Sequence, residues 1–210
     1  MVVRSKDKNT VSKRKLILGY GSSANRITLL GLIFSFFSCY FALHHDIRLA
    51  MTFLMAAGAC DLMDGFVARK SKQTDVEKKF GIQLDTIIDM VSFGVVPVVI
   101  VYSLVGAPWY ALCIYIFYML CAAIRLAHFN TITELDTPRK YFQGLPVTSI
   151  VLILPLVLLF NIEIVSVTAL AATGLLFISR LAIPKLRGAW YAIFFILTIV
   201  LLILWWLVVV

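Results

Sequence analysis

The sequence predicts an all-α integral membrane protein, a polytopic helical bundle of seven spans, and three observations carry that reading. Its 210 residues are 61% hydrophobic with a mean hydropathy of +0.97, well above the roughly 45–50% apolar content of soluble domains. The apolar residues gather into runs of about 17 to 25, the length a helix needs to cross a bilayer. Lys and Arg fall almost wholly into alternate gaps between those runs, as cytoplasmic loops require.

Residues 1–24 form a basic segment with Arg4, Lys6, Lys8, Lys13, Arg14 and Lys15. It has no apolar core followed by a cleavage site, so it reads as a cytoplasmic tail and not a removable signal. The first span is expected over 27–43, the second over 49–68 and the third over 82–104. Between the second and third lie Arg69, Lys70, Lys72, Lys78 and Lys79. The fourth, over 109–128, carries Arg125 at its inner end and is followed by Arg139 and Lys140. A shorter run near 145–160 must also cross if its neighbours are to face the correct sides, and Pro146 suits its first turn. Spans over 163–179 and 189–208 complete the bundle, with Arg180, Lys185 and Arg187 between them.

With the N-terminus inside, every one of the 19 Lys and Arg residues except Arg48 faces the cytoplasm. The C-terminus is then outside, and Trp205 and Trp206 fall where an outer aromatic belt belongs. The net charge of +8 lies on one membrane face and forms no basic stripe interleaved with aromatics. Anionic headgroups therefore account for it, and nucleic acid is not an expected partner. Cys39, Cys60, Cys113 and Cys121 sit in apolar runs without C-x-x-C pairing and read as buried small residues.

Against this background four aspartates stand out, because a carboxylate in an apolar span is costly unless it is partnered. Asp61, Asp64, Gly65 and Ala68 are spaced i, i+3, i+4, i+7, which puts them on one helix face, with Arg69 just beyond. Gly81, Asp85, Asp89 and Ser92 repeat the pattern on the next helix. A short connection makes the two helices antiparallel neighbours, so the four carboxylates converge near the cytoplasmic surface. Their mutual repulsion calls for compensation, which two divalent cations would supply. Oxygen-only ligation favours Mg²⁺ or Mn²⁺. Paired hard cations suit in-line displacement at phosphorus. Gly65 and Gly81 leave room for a bulky polar ligand, and Arg69 offers a fork for phosphate. The same residues admit two plainer readings, acids on an ion path and small residues for close helix packing.

Read together, D-x-x-D-G-x-x-A-R and G-x-x-x-D-x-x-x-D resemble the signature of the CDP-alcohol phosphatidyltransferases, membrane enzymes with a six-helix core. One departure is that eleven residues separate Arg69 from Gly81, where the family usually has eight or nine. Asn25 and Thr28 resemble the N-x-x-T opening of the family's first helix, with Ala24 where a proline is common. GIQLDTIIDMVSFGVVP (81–97), AIRLAHFN (123–130) and FQGLP (142–146) are similar to segments of the membrane-embedded phosphatidylserine synthases of that family. The resemblance implies a family domain over 25–187, leaving 188–210 as an added apolar helix.

It also implies transfer of a phosphatidyl group from CDP-diacylglycerol to the hydroxyl of L-serine, releasing CMP. Asp61, Asp64, Asp85 and Asp89 would hold two divalent metals, and Asp89 would take the hydroxyl proton. Asn25, Thr28, Asp61, Gly65, Ala68, Arg69 and Gly81 would bind the cytidine diphosphate. Ser92 and Arg125 are candidates for the acceptor or a phosphate, with a self-bonded helix serine and a snorkelling anchor as the alternatives. His128 reads as interfacial. Homodimerisation is likewise an implication of the family. Other acceptors, such as glycerol phosphate or inositol phosphate, and a divalent cation transporter are the competing functions.

Overall fold

The structure, a computed structural model, describes residues 22–71, 73–134, 141–160, 162–184 and 189–208. The expected cytoplasmic charges Arg4, Lys6, Lys8, Lys13, Arg14, Lys15, Lys72, Arg139, Lys140, Lys185 and Arg187 lie outside these residues.

The first helix, α1 (Ser23–Leu43), starts where Ser22 caps it, its hydroxyl accepting from the Asn25 N–H at 3.2 Å. A tight turn at His44–Asp46, with His45 at φ 58°, leads into α2 (Ile47–Lys70). Asp46 caps α2 through Leu49 N–H at 3.0 Å, and Arg69 and Lys70 in its last turn oppose the helix dipole. The pair packs antiparallel along its whole length.

The next span begins earlier than expected. Thr74 and Glu77 form a capping box that starts α3 (Asp75–Asp89), and the helical path runs on to Val105. Most of the long interval between Arg69 and Gly81 is therefore helix, and the connection between α2 and α3 is short. After Asp89 the path widens into a π-helical segment, Met90–Val95, before α4 (Val96–Val105). Pro97 has no N–H to give the Phe93 carbonyl one turn back. The Tyr118 hydroxyl, from α5 (Trp109–Glu134), donates to that oxygen at 2.7 Å instead.

A short β1 (Tyr141–Gln143) and a 3₁₀ turn (Val147–Ser149) precede α6 (Ile150–Leu158), and α7 (Glu163–Ile178) follows. β1 pairs antiparallel with β2 (Ala182–Pro184), Phe142 opposite Ile183, before α8 (Ala189–Val208). This small ribbon is the one departure from the all-helical expectation among the described residues. Among the described residues, four helical runs are long and apolar enough to cross a membrane by themselves: Ser23–Leu43, Ile47–Lys70, Asp75–Val105 and Trp109–Thr131. The expected fifth, sixth and seventh spans appear as the shorter apolar helices Val147–Leu158, Glu163–Ile178 and Ile193–Val208.

At the end of the bundle away from the aspartates, α8 is tied to the start of α2. Trp205 Nε1 donates to Arg48 O at 3.3 Å and Trp206 Nε1 to Thr52 Oγ1 at 3.0 Å. The Arg48 guanidinium lies 5.2 Å from the Trp206 ring centroid, a cation–π contact.

Candidate active site

α2 and α3 run antiparallel with their acidic strips face to face. Oxygen atoms of Asp61, Asp64 and Asp85 all lie within 4.8 Å of one another. Asp89, one turn beyond Asp85, has its carboxyl group beside that of Asp61. The four acids that the spacing brought to one place are in one place.

α1 supplies the wall behind them. Thr28 Oγ1 lies 2.5 Å from Asp64 Oδ2 and 3.1 Å from Ala24 O, and the carboxylate is the stronger acceptor. This leaves Asp64 fixed in rotamer and 5% exposed. Asn25 approaches α3 so closely that a Cβ on Gly81 would stand 3.1 Å from its Oδ1. One turn further in, Ser92 is buried and its hydroxyl is 2.6 Å from that of Ser35. Ser92 is thus engaged by another helix and not by its own backbone.

The donor set fits a hard divalent cation. Contact between Asp61 and Asp89 requires a proton or a metal to offset two like charges. An ion of Mg²⁺ size holds oxygens at about 2.0–2.1 Å, so its ligand oxygens lie within about 4 Å of one another, and three carboxylates gathered within 4.8 Å suit it. A void of about 10 Å³ lies among Thr28, Asp61, Asp64, Asp85, Asp89 and Ser92.

Two larger cavities meet at this cluster. One, of about 580 Å³, opens between the start of α1, the end of α2 and the start of α3. Its wall includes Asn25, Thr28, Gly65, Ala68, Arg69 and Gly81, with Asp64 and Asp85 at the inner end. Of the residues expected to bind the nucleotide, Asp61 alone lies off this wall; it faces the second cavity. Ser71, Gln73 and Lys78 also line it and carried no sequence signature.

The second cavity, of about 400 Å³, is lined by all four aspartates and by Arg125. Arg125 is 6% exposed. Its Nε donates to Leu145 O at 3.1 Å, and its guanidinium is 5.7 Å from the Phe129 ring centroid. A snorkelling anchor would extend to the membrane surface; Arg125 turns inward. Ser92 lines only the small void and neither of the large cavities. His128 is exposed, as expected for an interfacial residue, while Asn130 ties α5 to α3 through Thr86 Oγ1 at 2.7 Å.

The far wall of the second cavity was not foreseen. It consists of Leu145, Pro146, Val147, Thr148 and Ser149, with Phe194 of α8 closing one side. Gly144 makes that turn possible. It has φ 78°, and a Cβ there would collide with the Phe177 carbonyl oxygen. Its N–H bonds Leu181 O at 2.9 Å and the Leu145 N–H bonds Leu176 O at 3.0 Å, so the end of α7 holds the turn against the cavity. The final helix, read from sequence as an apolar addition, contributes a side chain to this wall.

Comparison with known proteins bears on the family. The sequence model of the CDP-alcohol phosphatidyltransferase family matches residues 22–210, which includes the last helix. A CDP-diacylglycerol--serine O-phosphatidyltransferase of Helicobacter pylori is 27% identical over 190 residues, covering 85% of this chain and 78% of the relative. An archaetidylserine synthase of Methanothermobacter thermautotrophicus is 27% identical over 177 residues, or 83% of this chain and 74% of the relative. A CDP-diacylglycerol--serine O-phosphatidyltransferase of Saccharomyces cerevisiae is 32% identical over 146 residues, 62% of this chain and 51% of the relative.

Proposed function

The chain belongs to the CDP-alcohol phosphatidyltransferase family, and from that premise we propose that it transfers a phosphatidyl group from CDP-diacylglycerol to the hydroxyl of L-serine, yielding phosphatidylserine and CMP. The observation that carries this reading is the aspartate cluster standing between two cavities of different character. The names of the relatives reported above all refer to serine, which supports the choice of acceptor.

The cavity bounded by α1, α2 and α3 takes the cytidine diphosphate. Asn25 and Thr28 face it from α1, and Gly65, Ala68 and Gly81 keep its walls thin. Arg69 offers donors to phosphate oxygens at its rim. Asp61, Asp64, Asp85 and Asp89 would hold two divalent cations, Mg²⁺ or Mn²⁺, which would offset phosphate charge and acidify the incoming alcohol.

The acceptor enters the second cavity. Arg125 is held by Leu145 O through Nε, and its two terminal nitrogens receive the carboxylate of serine. Asp89 accepts the serine hydroxyl proton as that oxygen bonds to phosphorus. The bond from phosphorus to the CMP oxygen breaks, and CMP leaves through the first cavity. Ser92, bonded to Ser35, braces the helix behind Asp89 and touches neither substrate.

The positive-inside bias of the basic loops supports a cytoplasmic site, with the N-terminus inside and the C-terminus outside. Membership of the family supports a homodimer as the working form. Membranes carrying it are expected to incorporate labelled serine into lipid when given CDP-diacylglycerol and Mg²⁺ or Mn²⁺. Incorporation of another alcohol, with serine refused under both metals, would sink the serine assignment and leave the family chemistry standing.

A further inference from the structure

Polar side chains inside an apolar bundle are satisfied by the protein unless something else satisfies them. Among the hydroxyls that line the cavities, Thr28 is bonded to Asp64, Ser71 to Val67 O and Ala68 O, Ser92 to Ser35 and Ser149 to Pro146 O. Thr148 differs. Its hydroxyl bonds no described residue, it is not sealed off from solvent, and it lines the cavity that holds Arg125 and the four aspartates.

The backbone of its turn is already committed. The Pro146 carbonyl takes the Ser149 hydroxyl at 2.6 Å and the Ser149 N–H at 3.1 Å, and the Leu145 carbonyl takes Arg125 Nε. These bonds hold the 3₁₀ turn and leave the Thr148 hydroxyl as the one in it that is bonded to no described residue. Arg125 is donor-only, and its terminal nitrogens have no carboxylate partner among the described residues. The cavity that holds the aspartates therefore also offers one cationic fork and one hydroxyl uncommitted to any described residue.

A ligand matching that pair carries an anionic group, a group able to donate, and a hydroxyl that reaches Asp89 across the cavity. A β-hydroxy α-amino acid has all three. We infer that Thr148 is a specificity-determining residue whose Oγ accepts a hydrogen bond from the α-ammonium of the acceptor while Arg125 takes its carboxylate. This rests on the serine reading above and deepens it, by assigning the amino end of the substrate to a residue that no motif marks. Acceptors lacking the ammonium gain nothing from Thr148.

The test uses the full chain in nanodiscs with CDP-diacylglycerol, comparing Thr148→Val with Thr148→Ser. Valine keeps the shape and removes the oxygen; serine restores it. Thr148→Val is expected to raise KM for serine about ten-fold or more, the effect of losing a hydrogen bond to a charged group. KM for CDP-diacylglycerol should stay unchanged, and Thr148→Ser should behave as wild type. Inhibition by 3-hydroxypropionate, which is serine without its amine, should be equal in wild type and Thr148→Val. An unchanged serine KM, a matching rise in the CDP-diacylglycerol KM, or weaker inhibition of Thr148→Val by 3-hydroxypropionate each overturns the inference while serine transfer by the wild type stands. If the wild type transfers the phosphatidyl group to another alcohol, releasing CMP, and refuses serine, the acceptor reading falls and this inference falls with it.

Discussion

Thr28 on α1 and Asp64 on α2 are joined across the helix interface, the threonine hydroxyl lying 2.5 Å from Asp64 Oδ2. One carboxylate of the cluster is thereby oriented from outside the two helices that carry it. Thr28→Val should lower the apparent affinity for the activating cation about 10- to 100-fold, as loss of a ligand's supporting bond commonly does. Thr28→Ser should retain it. Activity titrated against Mg²⁺ and Mn²⁺ reads the difference, and an unchanged titration in Thr28→Val would remove the supporting role.

Asp89 stands at the second cavity and not on the wall of the first. Asp89→Asn keeps size and polarity but takes no proton. Turnover is expected to drop by a factor on the order of 10² to 10⁴, while binding of CMP measured by calorimetry persists. Substantial residual turnover would reassign the base.

Arg125 supplies charge to the acceptor side alone. In Arg125→Gln, KM for serine should rise about 10- to 100-fold, the range for losing charge-assisted hydrogen bonds. Ethanolamine, which is serine without its carboxylate, should bind equally weakly to wild type and variant. An equal loss for both compounds would indicate damage to the Leu145 turn instead of a lost carboxylate contact.

Gly144 sets the geometry of that turn. An L residue at φ 78° costs about 1–2 kcal/mol in the left-handed region, and here the added Cβ would also strike the Phe177 carbonyl. Gly144→Ala should lower the unfolding temperature in detergent and weaken serine turnover. Affinity for CMP should survive, because the first cavity has no residue from this turn. A variant with wild-type stability would mean that the turn tolerates a side chain.

The acidic strips were legible because a carboxylate in an apolar run is conspicuous and the 3.6-residue period assigns it a face. The Thr74 to Glu77 capping box was equally present in the sequence, and it explains why the longer interval before Gly81 extends α3 and not the loop. Arg125 was legible as a charge in an inner turn; its inward direction was not, since that depends on Leu145, a residue twenty positions away. Thr148 and Phe194 could not be singled out, because nothing local distinguishes a threonine in a turn or a phenylalanine in an apolar helix. Pro97 marks a break in the helical ladder, but the replacement bond comes from Tyr118 on another helix. Trp205 and Trp206, expected in an outer aromatic belt, contact Arg48 and Thr52 instead, and Trp205 is buried in the bundle because its indole N–H bonds the Arg48 carbonyl.

The two large cavities share Asp64, Gly65, Arg69 and Asp85 and are otherwise lined by different residues. Under the proposed reading, the lipid nucleotide and the water-soluble amino acid approach the phosphorus through separate doors. Neither blocks the other, so both are aboard when the bond changes, and the enzyme has no need to store the lipid on itself between visits. Double-reciprocal plots at several serine concentrations would then intersect and not run parallel.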